Sequence, residues 1–188
     1  IRDAMLMLCI GIGLAPAFKM KFWNIGGEGQ IMMGALGASY IALNYADSMA
    51  SFPLLLLMAL ASIVCGGLWA LIPAFFKVKL GTNETIFTLM LNYIAIKIVE
   101  YLQYGPWKDP NASGFPKVAN FAPAAHLPSL FGIHIGWIIA LVLAAAMYVF
   151  MKYTKKGYEI EVVGESPNTA KYAGMNVNGI IIMALIIS

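Results

Sequence analysis

Between Phe22 and Tyr40 the chain reads FWNIGGEGQIMMGALGASY, with one carboxylate, Glu28, between two carboxamides, Asn24 and Gln30, and glycines at 26, 27 and 29. Both flanks are apolar. A carboxylate and amides in that setting can line a polar pathway, carry a proton or a cation, or satisfy an exposed helix end by capping it. The glycines lower the cost of leaving helical geometry, and irregular backbone at membrane depth is tolerated only against protein or a water-filled cavity. A broken helix near residues 22–30 follows, either re-entrant or a cytoplasmic-side turn. A second polar set lies in KVKLGTNETIFTLMLNYIAIKIVEY, Lys77 to Tyr101. Thr82 or Asn83 caps a helix that begins near Glu84, whose carboxylate suits the first turn. Thr88 and Asn92 are four apart and share one helix face, which Glu84 extends by a turn. Such a stripe faces a bundle interior, as interhelical glue or as a substrate path.

Neither set is catalytic. There is no Ser/His/Asp or paired-carboxylate arrangement, and His126 and His134 have no further ligand at metal spacing. Cys9 and Cys65 lie inside apolar runs and read as small packing residues. GIGLAP, Gly11 to Pro16, lacks the third glycine and the preceding strand of a dinucleotide fingerprint, and no GxxxxGK[ST] stretch occurs. The chain therefore offers no catalytic residue, no metal site and no nucleotide loop of its own.

The elements that must position the polar sets are membrane helices. The chain is 61% hydrophobic and 11% charged, against about 45–50% and 25% in soluble domains. Leu54 to Phe76 carries no charge, and about 20 such residues span the hydrocarbon layer. A barrel's alternating pattern is absent, which leaves helices. The fold class is all-α: a polytopic helical membrane protein with about five complete spans and the start of a sixth. The candidate spans are Ala4–Phe18, Gln30–Tyr45, Leu54–Phe76, Ile86–Tyr104, Ile133–Met151 and Gly179 onward. Because the chain starts at Ile1 and stops inside an apolar run, residues 1–188 read as an internal fragment of a single transmembrane domain.

Basic residues set its orientation. Lys19, Lys21, Lys77, Lys79, Lys152, Lys155, Lys156 and Lys171 fall in every second connection, whereas the others hold only Lys108 and Lys117. The first group faces the cytoplasm. The net charge of +3 thus serves orientation and not nucleic acid. Residues 105–132, with five prolines, form an extracytoplasmic loop that cannot be a regular helix. Lys97 and Glu100 pair and snorkel near the outer end. Residues 152–178 form a cytoplasmic loop in which Ser166 fits an N-cap, Pro167 the first helical position, Asn168–Ala173 a short helix and Gly174 its stop. So short a helix must dock on the protein's own inner face or on a partner. Downstream of the break, Gly34, Gly37, Ala38 and Ser39 offer small residues for tight helix contact.

Three segments together, FWNIGGEGQIMMGALGA, LGTNETIFTLMLNYIA and GYEIEVVGESPNTAKYAGM, resemble the membrane permease subunits of bacterial ABC importers for simple sugars, nucleosides and branched-chain amino acids, above all the nucleoside/simple-sugar branch. The resemblance runs in order through essentially the whole chain. It implies a subunit of roughly ten helices, of which this chain holds about the second to the start of the seventh, in the bacterial plasma (inner) membrane. It implies a coupling helix at Ser166–Gly174 seated on a separate ABC ATPase that carries the ATP and Mg, so that no cofactor belongs to this chain. The further implied partners are a second permease subunit, homologous or identical, an extracytoplasmic substrate-binding lipoprotein and membrane lipids. Gly164, Glu165, Pro167, Ala170, Tyr172 and Gly174 are the coupling residues on this reading, and Asn24, Glu28, Gln30, Asn83, Glu84 and Asn92 belong to the path or its gating. Nucleosides are the first substrate class, since TNETIFTLMLNYIA looks most like that branch and Tyr93 can stack on a base; simple sugars come second. An ion-coupled secondary transporter or channel, with Glu28 and Glu84 as carriers, is the alternative.

Overall fold

A computed structural model describes residues 2–109, 114, 117–130 and 133–188. In chain order they form α1 (Arg2–Lys19), α2 (Gly27–Tyr45), α3 (Ser51–Leu80), α4 (Glu84–Tyr104), a 3-10 turn at Pro123–Ala125, a hairpin of β1 (Ser129–Leu130) and β2 (Ile133–His134), then α5 (Gly136–Tyr153), α6 (Lys155–Glu165), α7 (Pro167–Tyr172) and α8 (Val177–Ile187). The fold is all-α, as expected. Among the described residues three helices, α3, α4 and α5, are long and apolar enough to cross a membrane; the apolar stretches Ala4–Lys19 and Val177–Ile187 are shorter. Ile63, Leu60 and Leu68 on α3 and Leu141, Val142 and Val149 on α5 are exposed, an arrangement that suits hydrocarbon rather than water.

Helix ends follow local chemistry. Helix α3 stops at Gly81, which has φ +62, and its N–H returns to the Lys77 carbonyl at 3.0 Å, the left-handed glycine stop. Asn83 then caps α4, accepting from the amides of Thr85 and Ile86 at 3.1 and 3.3 Å. Helix α1 ends through Lys21, at φ 57. Here the Phe22 amide reaches the Ala17 carbonyl and the Lys21 amide the Phe18 carbonyl, each at 2.9 Å, which is the Schellman pattern with a lysine where glycine is usual.

The chain divides into two units. The first takes the chain up to Gly27, Ala70–Thr88 and Leu127–Ser188. Its core gathers Ala17, Met20 and Phe22 around the end of α1, Ile160 and Val163 of α6, Ala170 of α7, and Val177, Ile180, Ala184 and Leu185 of α8. Phe76 stacks on Phe87, ring centroids 4.7 Å apart. The second unit takes Glu28–Trp69 and Leu89–His126. In it α2 meets α3 through small residues: a Cβ on Gly34 would lie 2.9 Å from Ser62 Oγ, and the Gly37 Cα already faces Cys65 Sγ and the Ala61 carbonyl so closely that a Cβ would sit 2.7 and 2.8 Å from them. Close helix packing through small residues was the expectation for Gly34 and Gly37. Both cysteines are free thiols.

Two expectations change. The fifth span begins at Gly136 rather than Ile133, because Ile133 and His134 pair with Leu130 and Ser129. The connection after α5 holds a full helix, α6, that its polar composition concealed; its buried face is Gly157, Glu159, Ile160, Val163 and Gly164. Of the loop prolines, those at 110 and 116 lie outside the described residues, as do residues 111–113.

Candidate functional site

The break between α1 and α2 is non-helical over residues 22–25, and from Met20 to Gly26 burial alternates: Met20, Phe22, Asn24 and Gly26 are buried, Lys21, Trp23 and Ile25 exposed. That is the pattern of an extended segment with one face inward. Asn24 is 1% exposed. Its Oδ1 accepts from the Gly26 amide at 2.9 Å and its Nδ2 donates to Ser188 Oγ at 3.1 Å. The next amide, of Ile25, donates to Thr88 Oγ1 at 3.3 Å, and that hydroxyl donates to the Glu84 carbonyl at 2.8 Å. Asn24 and Thr88 thus take up backbone groups that the missing helical turn leaves free. A Cβ on Gly26 would come within 3.0 Å of Asn24 Oδ1 and Thr88 Cβ. Among the described residues the positive-φ glycines are Gly81, Gly114 and Gly174. At Gly26 the missing side chain supplies room, and glycines 26, 27 and 29 all keep a φ open to other residues.

Within the second unit, the Gly29 amide in the first turn of α2 donates to Asn92 Oδ1 at 2.8 Å. Asn92 and Gln30 are buried, and Trp69 Nε1 lies 3.2 Å from where a Gly29 Cβ would stand. This indole N–H is buried with no hydrogen-bond partner among the described residues. Asn92 acts as a cap for α2 supplied from another helix. Glu28 is exposed in the first turn of α2, where the helix dipole favours a carboxylate.

Glu84 opens α4 and forms an ion pair with Lys77 in the last turn of α3, both side chains mostly buried. The acid sits at a helix start and the base at a helix end, the favourable sense at both. Lys97 pairs with Glu100 at 2.7 Å on an exposed face, as expected.

The coupling candidates cluster on α6 and α7. Ser166 caps α7, its Oγ accepting from Thr169 N at 3.2 Å, and Pro167 takes the first helical position. At the other end the Met175 amide reaches the Ala170 carbonyl and the Gly174 amide that of Lys171, each at 3.0 Å, with Gly174 at φ +75. Ala170 is fully buried, whereas Tyr172 is 94% exposed. Gly164 and Glu165 lie at the end of α6, where Glu165 reaches Lys21 at 3.6 Å and Glu161 reaches Lys19 at 2.8 Å. The hydrogen bond and charge of Glu161 raise the affinity of Lys19 for its proton. Sequence reasoning missed Lys19, Lys21, Glu161 and Trp69 as contributors. The sequence reads Lys19 and Lys21 as orientation charges alone and carries no signal for Glu161 or Trp69. Among the described residues no group of three or more His, Cys, Asp or Glu is placed to hold a metal ion.

The family described as branched-chain amino acid transport system, permease component, matches residues 1–188. The chain is 35% identical over 186 residues to the glucose ABC transporter permease protein TsgB13 of Haloferax volcanii, covering 92% of this chain and 48% of that one. It is 31% identical to the guanosine ABC transporter permease protein NupP of Bacillus subtilis, covering 100% and 55%. It is 28% identical to the nucleoside ABC transporter permease protein NupB of Lactococcus lactis, covering 97% and 52%. The chain thus spans about half the length of these curated relatives. No solved structure matches it.

Proposed function

Because the chain belongs to the family of branched-chain amino acid transport system permease components, we propose that it is the transmembrane subunit of an ATP-driven ABC uptake system for nucleosides, with simple sugars as the second class. It sits multi-pass in the bacterial inner membrane, residues 105–132 outside and 152–178 in the cytoplasm, as part of one permease domain. A separate ATPase binds ATP and Mg; a second permease subunit completes the path, and a substrate-binding lipoprotein delivers to it. The relatives' names support the substrate classes, since they include guanosine, nucleoside and glucose permeases.

The observation that carries this reading is α7. A six-residue helix is unstable alone, yet this one is capped at both ends and anchored by buried Ala170, with Tyr172 94% exposed. That is the form of a rigid projection meant to be gripped. ATP-driven closure of the ATPases moves α7, and the bundle alternates between outward and inward openings. Glu165, Pro167 and Tyr172 face the ATPase, while Gly164, Ala170 and Gly174 set the shape behind them. Asn24, Glu28, Gln30, Asn83, Glu84 and Asn92 belong to the path or its gating.

The test is uptake of radiolabelled guanosine and ribose by cells expressing the complete system, with and without Glu165→Ala and Pro167→Leu. Guanosine uptake lost in the variants supports substrate and coupling together; ribose uptake changes the substrate alone. Uptake indifferent to the variants and abolished by an ionophore replaces this mechanism with an ion-coupled carrier.

A further inference from the structure

We propose that the seam between α6 and the last turn of α1, with Gly164 set against the Lys19 carbonyl, is the link by which a movement of α7 reaches the non-helical segment that holds Asn24. The proposal rests on reading α7 as the contact with an ATPase. It adds the receiver of the movement and assigns Gly164 an inward role.

A Cβ built on Gly164 would fall well inside van der Waals contact distance of the Lys19 carbonyl oxygen and 3.0 Å from Met20 Cα. Even alanine forces the two elements apart. The contact is framed by two ion pairs, Lys19 with Glu161 one turn before Gly164 and Lys21 with Glu165 just after it. At the opposite end of α6, a Cβ on Gly157 would collide with the Phe150 and Met151 carbonyls of α5. Thr154 caps α6 there, accepting from the Gly157 amide at 3.1 Å. Helix α6 is thus pinned by backbone contact at both ends, and the buried Ala170 of α7 shares its core. Close-packed interiors transmit displacement instead of absorbing it. On the far side of the seam the chain has no helix to buffer a push. Lys19 is the last residue of α1; the chain then runs through buried Met20 and Phe22 to Asn24, which is tied to Ser188, the residue that follows α8. A shift of α7 therefore arrives within five residues at the most buried carboxamide of the break.

The experiment uses the complete transporter with its partner subunits in proteoliposomes, and reads substrate taken up per ATP hydrolysed. Gly164→Ala is expected to lower that ratio on the order of tenfold, within the roughly 5–150-fold span of ordinary allosteric coupling. Lys19→Glu, which sets like charges against Glu161 and Glu165 on an exposed surface, is expected to lower it too, and adding Glu161→Lys to restore it. A merely structural role would change the amount of protein and not the ratio. A normal ratio in Gly164→Ala beside a reduced one in Pro167→Leu overturns the seam and leaves the α7 reading standing. A normal ratio in Pro167→Leu removes that reading itself. Where Gly164→Ala fails to accumulate, the charge pair decides: a normal ratio in Lys19→Glu, or a loss that Glu161→Lys does not repair, overturns the proposal.

Discussion

The Gly29 amide and the Asn92 carboxamide are matched in both directions: the amide donates to Oδ1 at 2.8 Å, and a Cβ on Gly29 would lie 2.8 Å from the same oxygen. The bond requires the absence of a side chain. Asn92→Leu leaves a buried N–H unsatisfied, which costs roughly 1–3 kcal/mol, and Gly29→Ala expels the carboxamide. Both variants are expected to unfold at lower temperature in detergent than the parent chain, and the double variant to lose less than the sum of the two. Additive losses would mean that the two residues act independently.

Lys77 and Glu84 offer a test of polarity. Glu84→Gln removes the charge partner of a mostly buried ammonium, so the loss should exceed the roughly 0–1 kcal/mol of an exposed pair. Exchanging them, Lys77→Glu with Glu84→Lys, rebuilds the ion pair but puts an acid at the end of α3 and a base at the start of α4. The exchanged protein is expected to recover only part of the lost stability, measured by thermal unfolding. Full recovery would assign the whole effect to the pair and none to the helix ends.

Much of the architecture was legible because apolar run length, proline and capping residues act locally. Ser166, Pro167 and Gly174 bracketed α7 to within a residue, and of the two cap candidates for α4, Thr82 and Asn83, the structure uses Asn83. The polar stripe of Thr88 and Asn92 was rightly turned inward, since hydrocarbon has no partner for either. The less legible features depend on distant partners. Glycines at 26 and 29 read as backbone freedom, whereas their reason is the approach of Thr88 and Asn92, about sixty residues away in the chain. Helix α6 was hidden because its buried face includes two glycines and a glutamate, so that no apolar stripe announced it. Glu159 is nearly buried there, held by Lys156 at 2.7 Å. Glu28 looked like the costly charge of the break and lies exposed.

Ser166 caps the start of α7 through its hydroxyl, which accepts from the Thr169 amide. Ser166→Ala is expected to cost about 1 kcal/mol of local stability, seen as faster amide exchange at residues 168–172, while Ser166→Asp retains the acceptor and the protection. On the proposed function, uptake falls in the alanine variant and survives in the aspartate one. Equal exchange in both would mean that Pro167 and the core contact of Ala170 hold the helix without the cap.

Lys21 occupies the left-handed region at φ 57, where a Cβ costs roughly 1–2 kcal/mol. The position sits at the close of α1, with the Phe22 amide bonded back to Ala17, so the helix end depends on that torsion. Glycine adopts it freely, and a β-branched residue resists it most. The Lys21 side chain gives in return only an exposed ion pair with Glu165 at 3.6 Å, worth little in water. Thermal stability in detergent is therefore expected to rank Lys21→Gly at or above the parent and Lys21→Val well below both. If valine is tolerated as well as glycine, the α1 terminus does not hold this turn in the membrane. The seam would then lack the fixed geometry on which its role depends.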